Sequence, residues 1–269
     1  MALPWSACSQ GMSLRAIDIM LIAKRSHLSR SKTINFLDEL PLTESKAISL
    51  YLPKGTTQDR AENLLRKLSL AGVTPSGVAE AAAGSAMGAV FFWSPSRMYL
   101  VLPPFPIAEE YMTSGYEVGP LRSILSRDFL VALVLVRLGA YSVGICRGTE
   151  LIDSKTGTGL VHARHKKGGS SQARFARHRE KQIEQFLIRV CGHVREHIEP
   201  HARSLDYLVY GGARTTILLL RKRCPFLNQF DERILRMLLD IPEPRRAVLE
   251  RAVGAVWSTD VIQWCENSS

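Results

Sequence analysis

Gln172 lies between two groups of basic residues, and its side-chain amide can both donate and accept a hydrogen bond without acting as a base. A group of this kind suits the placing of a water or a ribose hydroxyl for attack while charge develops elsewhere, which is catalysis by positioning. Read alone, the same residue is an ordinary polar opening to a helix. Directly before it stand Gly168, Gly169, Ser170 and Ser171. The glycine pair permits backbone angles closed to other residues and lets the main chain approach a ligand, and it is equally the composition of a plain flexible loop. Cations flank the loop: His165, Lys166 and Lys167 on one side, Arg174, Arg177, His178 and Lys181 on the other. Between Val161 and Val190 eight Lys or Arg stand against two Glu. Such a stretch matches a phosphate backbone, and otherwise it is the solvated face of a surface helix. His162, His165 and His178 are candidate acids or bases, or simply further positive charge.

Other chemistries find no support. There is no Gly-x-Ser-x-Gly, no His-Glu-x-x-His and no close carboxylate cluster of the kind metal-dependent nucleases use, so Asp128, Asp153 and Asp206 read as structural and no metal or cofactor is expected. Gly211-Gly212, at a strand-to-helix junction, lacks the Lys-Ser/Thr of a P-loop; its N–H groups could meet a phosphate or only make a tight connection. Five cysteines, Cys8, Cys146, Cys191, Cys224 and Cys265, form no Cys-x-x-Cys pair, which argues against a zinc site and a disulfide framework and for a reducing cytoplasm. With 269 residues, 46% hydrophobic and 22% charged, the chain has ample material for a core. A formal charge of +10 favours a nucleic acid or an anionic surface as partner.

The elements that would hold this loop can be read in order. Residues 1–40 read as an extension, partly disordered or with a short helix around Ile17–Ala23, a run too short to cross a membrane. Residues 41–127 form a β/α subdomain. In it, AISLYL (47–52) is a strand, a helix capped by Thr57 or Asp59 runs to Gly72, a small-residue helix covers Ala79–Gly88, and Val90–Trp93 with Met98–Leu102 make a hairpin. Glu109–Ser126 carries little pattern and reads as a hinge. The third unit, residues 128–266, begins with the uninterrupted apolar run FLVALVLV and reads as an antiparallel meander to His165, with Thr156–Gly159 as turn chemistry. A long helix then starts near Gln172. Its Ile183, Phe186, Leu187, Val190, Val194 and Ile198 mark a buried stripe, while Arg174, Arg177 or His178, Lys181, Gln185 and Arg189 recur on another face. A strand at Leu205–Tyr210, a helix at Ala213–Arg221, and helices from Asp231 and from Glu243 to Val256 complete an α/β, mixed-sheet class.

The run from Gly159 to Gln182, with Val161-His162, Arg164-His165, Lys167-Gly168-Gly169, Ser171-Gln172, Arg174-Phe175-Ala176-Arg177 and Arg179-Glu180 at its fixed positions, resembles the signature of the bacterial Vms-like release factors, relatives of the middle domain of the eukaryotic peptide-chain release factor. VALVLVRLGAYSVGI, LVYGGAR and LDIPEPRRAVLE agree with the same family in the same order, so the similarity covers about residues 128–256; the earlier part resembles it only through SLYLPKG. The resemblance implies an RNase-H-like mixed sheet carrying a glutamine loop that works at the peptidyl-transferase centre of the large ribosomal subunit, beside the peptidyl-tRNA end. It implies a catalytic set of Gln172, Gly168, Gly169 and Ser171, RNA contacts from His165, Lys166, Lys167, Arg174, Arg177, His178 and Lys181, no metal, and a cytoplasmic monomer without a membrane partner. Relatives free the nascent chain either by hydrolysing the peptidyl ester or by cutting within the CCA end, and both remain open here. In the eukaryotic factor the glutamine directly follows the glycine pair, whereas Ser170-Ser171 intervene in this chain. A non-catalytic ribosome- or rRNA-binding factor built on the same basic helix is the competing expectation.

Overall fold

The computed structural model describes residues 21–41, 44, 46–68, 77–161 and 172–266. Its first element, β1 (Leu21–Leu28), is followed by α1 (Arg30–Asp38), β2 (Ile48–Leu52), α2 (Gln58–Leu68), α3 (Val78–Ala83), β3 (Ala89–Trp93), β4 (Arg97–Leu102), β5 (Tyr111–Ser114) and α4 (Gly119–Ser126). The second half runs β6 (Leu130–Arg137), β7 (Ala140–Arg147), β8 (Glu150–Thr158), α5 (Gln172–Ile198), β9 (Tyr207–Gly211), α6 (Arg214–Arg223), β10 (Ile234–Leu239), α7 (Arg246–Val256) and β11 (Thr259–Glu266). Two sheets result, one of six strands in the order β1-β11-β4-β3-β2-β5 and one of five in the order β10-β9-β6-β7-β8.

The six-stranded sheet is antiparallel throughout. Its central strands β2, β3 and β4 are largely apolar on both faces because both faces are covered: Leu50, Phe91 and Leu100 pack with α2 and α3, while Tyr51, Phe92 and Val101 pack with α1 and α4. The hairpin expected at Val90–Leu102 is β3 and β4, and Thr57 accepts a hydrogen bond from the Arg60 N–H at 3.3 Å, as a helix cap does. The expected end of that helix, at Gly72, lies outside the described residues. Two expectations are corrected. Residues 21–38 are a strand and a helix in place of a loose extension, because β1 pairs along its whole length with β11. Glu109–Ser126 is not featureless, since β5 pairs with β2 and α4 buries Leu121 and Leu125.

In the five-stranded sheet β6, β7 and β8 are antiparallel, whereas β9 and β10 run parallel to β6. This is the mixed, RNase-H-like sheet. Successive residues of β6 face opposite cores: Ala132, Val134 and Val136 meet α5 and α6, and Val131, Leu133 and Leu135 meet α7. Both faces are dry, which accounts for the uninterrupted FLVALVLV run. The helix expected from Asp231 is instead the end of a 3-10 segment (Pro225–Arg233) leading into β10. The boundary drawn at residue 266 also changes, because β11 leaves this half of the chain and inserts between β1 and β4 of the other sheet.

A candidate nucleic-acid interface on the long helix

Over residues 183–198 the helix α5 lies flat on the sheet. Phe186, Leu187, Val190, Val194 and Ile198 are buried against β7, β8 and α6, and Ile183 is partly covered. Each of these five fully buried side chains contributes about 1.5–3 kcal/mol, enough to fix the helix axis on its scaffold. At 100° per residue Arg174, Arg177, His178, Lys181, Gln185 and Arg189 fall on the side opposite that stripe, and all six are exposed.

The start of α5 behaves differently. Arg174, Phe175, Ala176, Arg177 and His178 are exposed in succession. A helix resting on a surface buries roughly one residue per turn, so five exposed neighbours mean that the first turns overhang the sheet edge. Even Phe175 keeps 56% of its surface exposed. Arg174 and Lys181 have no ion pair among the described residues, while farther along the helix Glu184 pairs with Arg223 and Arg195 with Glu199. Positive charge is therefore concentrated at the overhanging end, with neutralised pairs toward the anchored end.

Gln172 is the first residue of that overhang. Gly168, Gly169, Ser171, His165, Lys166 and Lys167 lie outside the described residues, as does His162. What is described is how the chain enters and leaves this stretch. β8 runs to Thr158, so Thr156–Gly159, expected as turn chemistry, are the close of a strand. Their glycines serve close packing: a Cβ on Gly157 would stand 2.5 Å from the Tyr141 hydroxyl and one on Gly159 2.6 Å from the Phe186 ring. The Gly159 N–H also donates to the Gly139 carbonyl. β8 is thus held tightly beneath α5 up to the point where Leu160 turns out to solvent.

Gly211-Gly212 is a tight connection. The Gly212 N–H donates to the Leu239 carbonyl at 2.9 Å, and a Cβ there would lie 2.1 Å from the Val136 carbonyl oxygen at a φ of +116°. Asp128 pairs with Arg30, and Asp206 pairs with Arg127 and accepts from the Leu130 N–H. Asp153 accepts from His197 at 2.7 Å. The cysteine reading is corrected. Cys191 of α5 and Cys224, which follows α6, form a disulfide with Cα atoms 5.4 Å apart, a pairing between two helix surfaces that spacing in sequence gives no means of foreseeing. Cys146 is a buried free thiol, and burial pushes its pKa up to about 12. A His-x-x-Glu-His run stands at 193–197, the inverted order of the His-Glu-x-x-His motif that the chain lacks.

Residues 130–262 match the family described as the Actinobacteria/chloroflexi VLRF1 release factor. This stretch takes in the whole five-stranded sheet, the helices that cover it and the first part of β11, so the VLRF1 match crosses into the other sheet at its end. The chain is also 27% identical over 113 residues to the peptide chain release factor subunit 1 of Archaeoglobus fulgidus, and 29% identical over 116 residues to that of Methanosphaera stadtmanae. Each match covers 42% of this chain and 28% of the relative, so the similarity spans less than a third of those proteins. Among solved structures, an archaeal translation termination factor, aRF1, superposes with a TM-score of 0.39 at 16% identity, over 85% of this chain and 70% of that one. No helix of the described residues is long and apolar enough to cross a membrane.

Proposed function

We propose that this chain is a ribosome-associated factor that frees nascent chains from peptidyl-tRNA in stalled ribosomal complexes. The observation that carries the reading is the family match across residues 130–262, which includes Gln172 and the residues before it. The relatives named as peptide chain release factor subunit 1 support it. Gln172 would position the nucleophile, a water or a tRNA ribose hydroxyl, at the CCA end. Gly168, Gly169 and Ser171 would let the backbone reach the reaction centre. Lys166, Lys167, Arg174, Arg177, His178 and Lys181, with His165, would hold RNA phosphates, a use that fits the exposure and charge of the overhanging end of α5. The partners are then the large ribosomal subunit and peptidyl-tRNA, the protein acts as a cytoplasmic monomer, and the chemistry belongs to positioned hydrogen bonds and RNA groups without a metal.

The test uses stalled ribosome complexes carrying labelled peptidyl-tRNA. Wild type is expected to release peptide and Gln172→Ala to lose release by about a hundredfold or more, the scale of a lost positioned donor. Equal release by the two refutes the role of Gln172. The tRNA product separates the two chemistries, since ester hydrolysis leaves an intact CCA end and cleavage within it leaves a shortened one. Tight, salt-sensitive binding with no product from either protein would instead mark a non-catalytic ribosome-binding factor.

A further inference from the structure

The anchored end of α5 carries the run His193-Val194-Arg195-Glu196-His197. Histidines four apart stand one above the other on a helix face, the spacing with which one helix offers two imidazoles to one ion. His193, Glu196 and His197 each bring a ligand atom into a group whose members all lie within 4.8 Å of one another. The surroundings hold the rings in place. Asp153 of β8 sits 2.7 Å from Nδ1 of His197, which leaves Nε2 of that ring as its donor to an ion. Tyr141 of β7 stacks on His193 with ring centroids 5.4 Å apart and planes inclined by 14°. Glu196 lies 3.1 Å from Nδ1 of His193.

We propose that His193, Glu196 and His197 form a binding site for a divalent first-row transition ion of zinc type, with Asp153 orienting His197 from behind. Imidazole and carboxylate are the donors such ions take, and a carboxylate on the far nitrogen of a ligating histidine is the usual outer support. The two histidines of a His-x-x-Glu-His run also carry zinc in one class of metallopeptidases. No further His, Cys, Asp or Glu joins the group among the described residues, so water completes the coordination and the site binds an ion without a peptidase centre. It lies 21 residues from Gln172 along α5, about 30 Å at 1.5 Å per residue. The ion would sit on α5 alone, at the end opposite Gln172, with Asp153 of β8 and Tyr141 of β7 holding its two imidazoles from behind.

The full, untagged chain is titrated with Co²⁺ under non-reducing conditions and then with Zn²⁺. Expected are one Co²⁺ per chain, visible d–d absorption without thiolate charge-transfer bands, displacement by Zn²⁺, and a higher melting temperature with either ion. His193→Ala and His197→Ala should each abolish binding with the helical circular dichroism retained, and Asp153→Asn should weaken it about ten- to a hundredfold without touching the ion. Thiolate bands, absence of saturable uptake, or unchanged affinity in the histidine variants would each overturn the site. Should a histidine variant fail to fold, Glu196→Gln on the exposed face decides together with Asp153→Asn: unchanged affinity in both rejects the proposal.

Discussion

Two glycines, one in α5 and one after β9, show how far a single residue's role depends on what surrounds it. Gly192, in the middle of α5, has nothing within 4 Å of where a Cβ would stand. Gly192→Ala should therefore raise stability by about 0.5–1 kcal/mol through helix propensity and a less flexible unfolded chain. Gly212 combines a left-handed φ of +116° with a Cβ position 2.1 Å from the Val136 carbonyl oxygen. Gly212→Ala should lower stability by at least about 2 kcal/mol, since the strain of a non-glycine residue at that φ adds to a clash with main chain. Urea unfolding of the two variants beside wild type checks both signs. If the two alanines change stability in the same direction, the packing described at Gly212 is wrong. Both positions carry the same letter in the sequence, and only the neighbours at Val136 and Leu239, which come from distant strands, separate them.

At the scale of the element, α5 was the most legible part of the chain. Its buried stripe and exposed cations fall where a period of 3.6 residues puts them, because one helix surface rests on one sheet and the period has a single partner to satisfy. The β3–β4 hairpin and the three-strand meander were legible for the same reason, being built from neighbours in sequence. β10 was not: ILRMLL has apolar residues at helical as well as strand spacing, and its state is decided by parallel pairing with β9, more than twenty residues earlier. The disulfide is equally non-local, joining α5 to the residue after α6. Two predictions follow from the anatomy of α5. Replacing Arg174 and Lys181 by glutamine should leave the melting temperature nearly unchanged, as both are exposed, while the slope of log affinity for ribosomal RNA against log salt falls by about two. An unchanged slope would remove both side chains from the proposed RNA-binding face. Reducing the Cys191–Cys224 bond, which closes a loop with a sequence separation of 33, should cost roughly 3–4 kcal/mol on the chain-entropy account. The expected result is a lower melting temperature of wild type in reductant and a Cys191→Ser, Cys224→Ser protein indifferent to it.

At the scale of the whole molecule the two sheets are joined through the last strand and an aromatic cluster. Phe105, from the first half of the chain, packs with Phe129, Tyr207 and Trp257 of the second, at centroid distances of 4.6, 5.3 and 4.6 Å. Arg30 reaches across to lie 4.2 Å over the Trp257 ring and to pair with Asp128, and the Trp257 indole donates to the Gly148 carbonyl at 2.7 Å. The chain then leaves Trp257 as β11, which pairs with β1 on one side and β4 on the other. No local pattern in residues 259–266 announces this, because the strand is specified by two partners some 160 and 230 residues earlier, and its side chains Val261 and Trp264 enter opposite cores of the first sheet. The long helix α5 thus rests on a sheet tied to the other by a strand that continues from it. Removing residues 259–269 should therefore damage the half of the chain farthest from them in sequence. β1 would lose its partner, β4 would become an open edge, and Val261 and Trp264 would be missing from the two cores that flank β4. Limited proteolysis is expected to cut the truncated protein first within residues 21–38 while residues 130–256 persist. Hydrogen exchange should report the same division, with lost protection in β1 and β4 and retained protection in β6 and β7. Uniform loss of protection across both sheets would instead mean that the aromatic junction makes them a single cooperative unit.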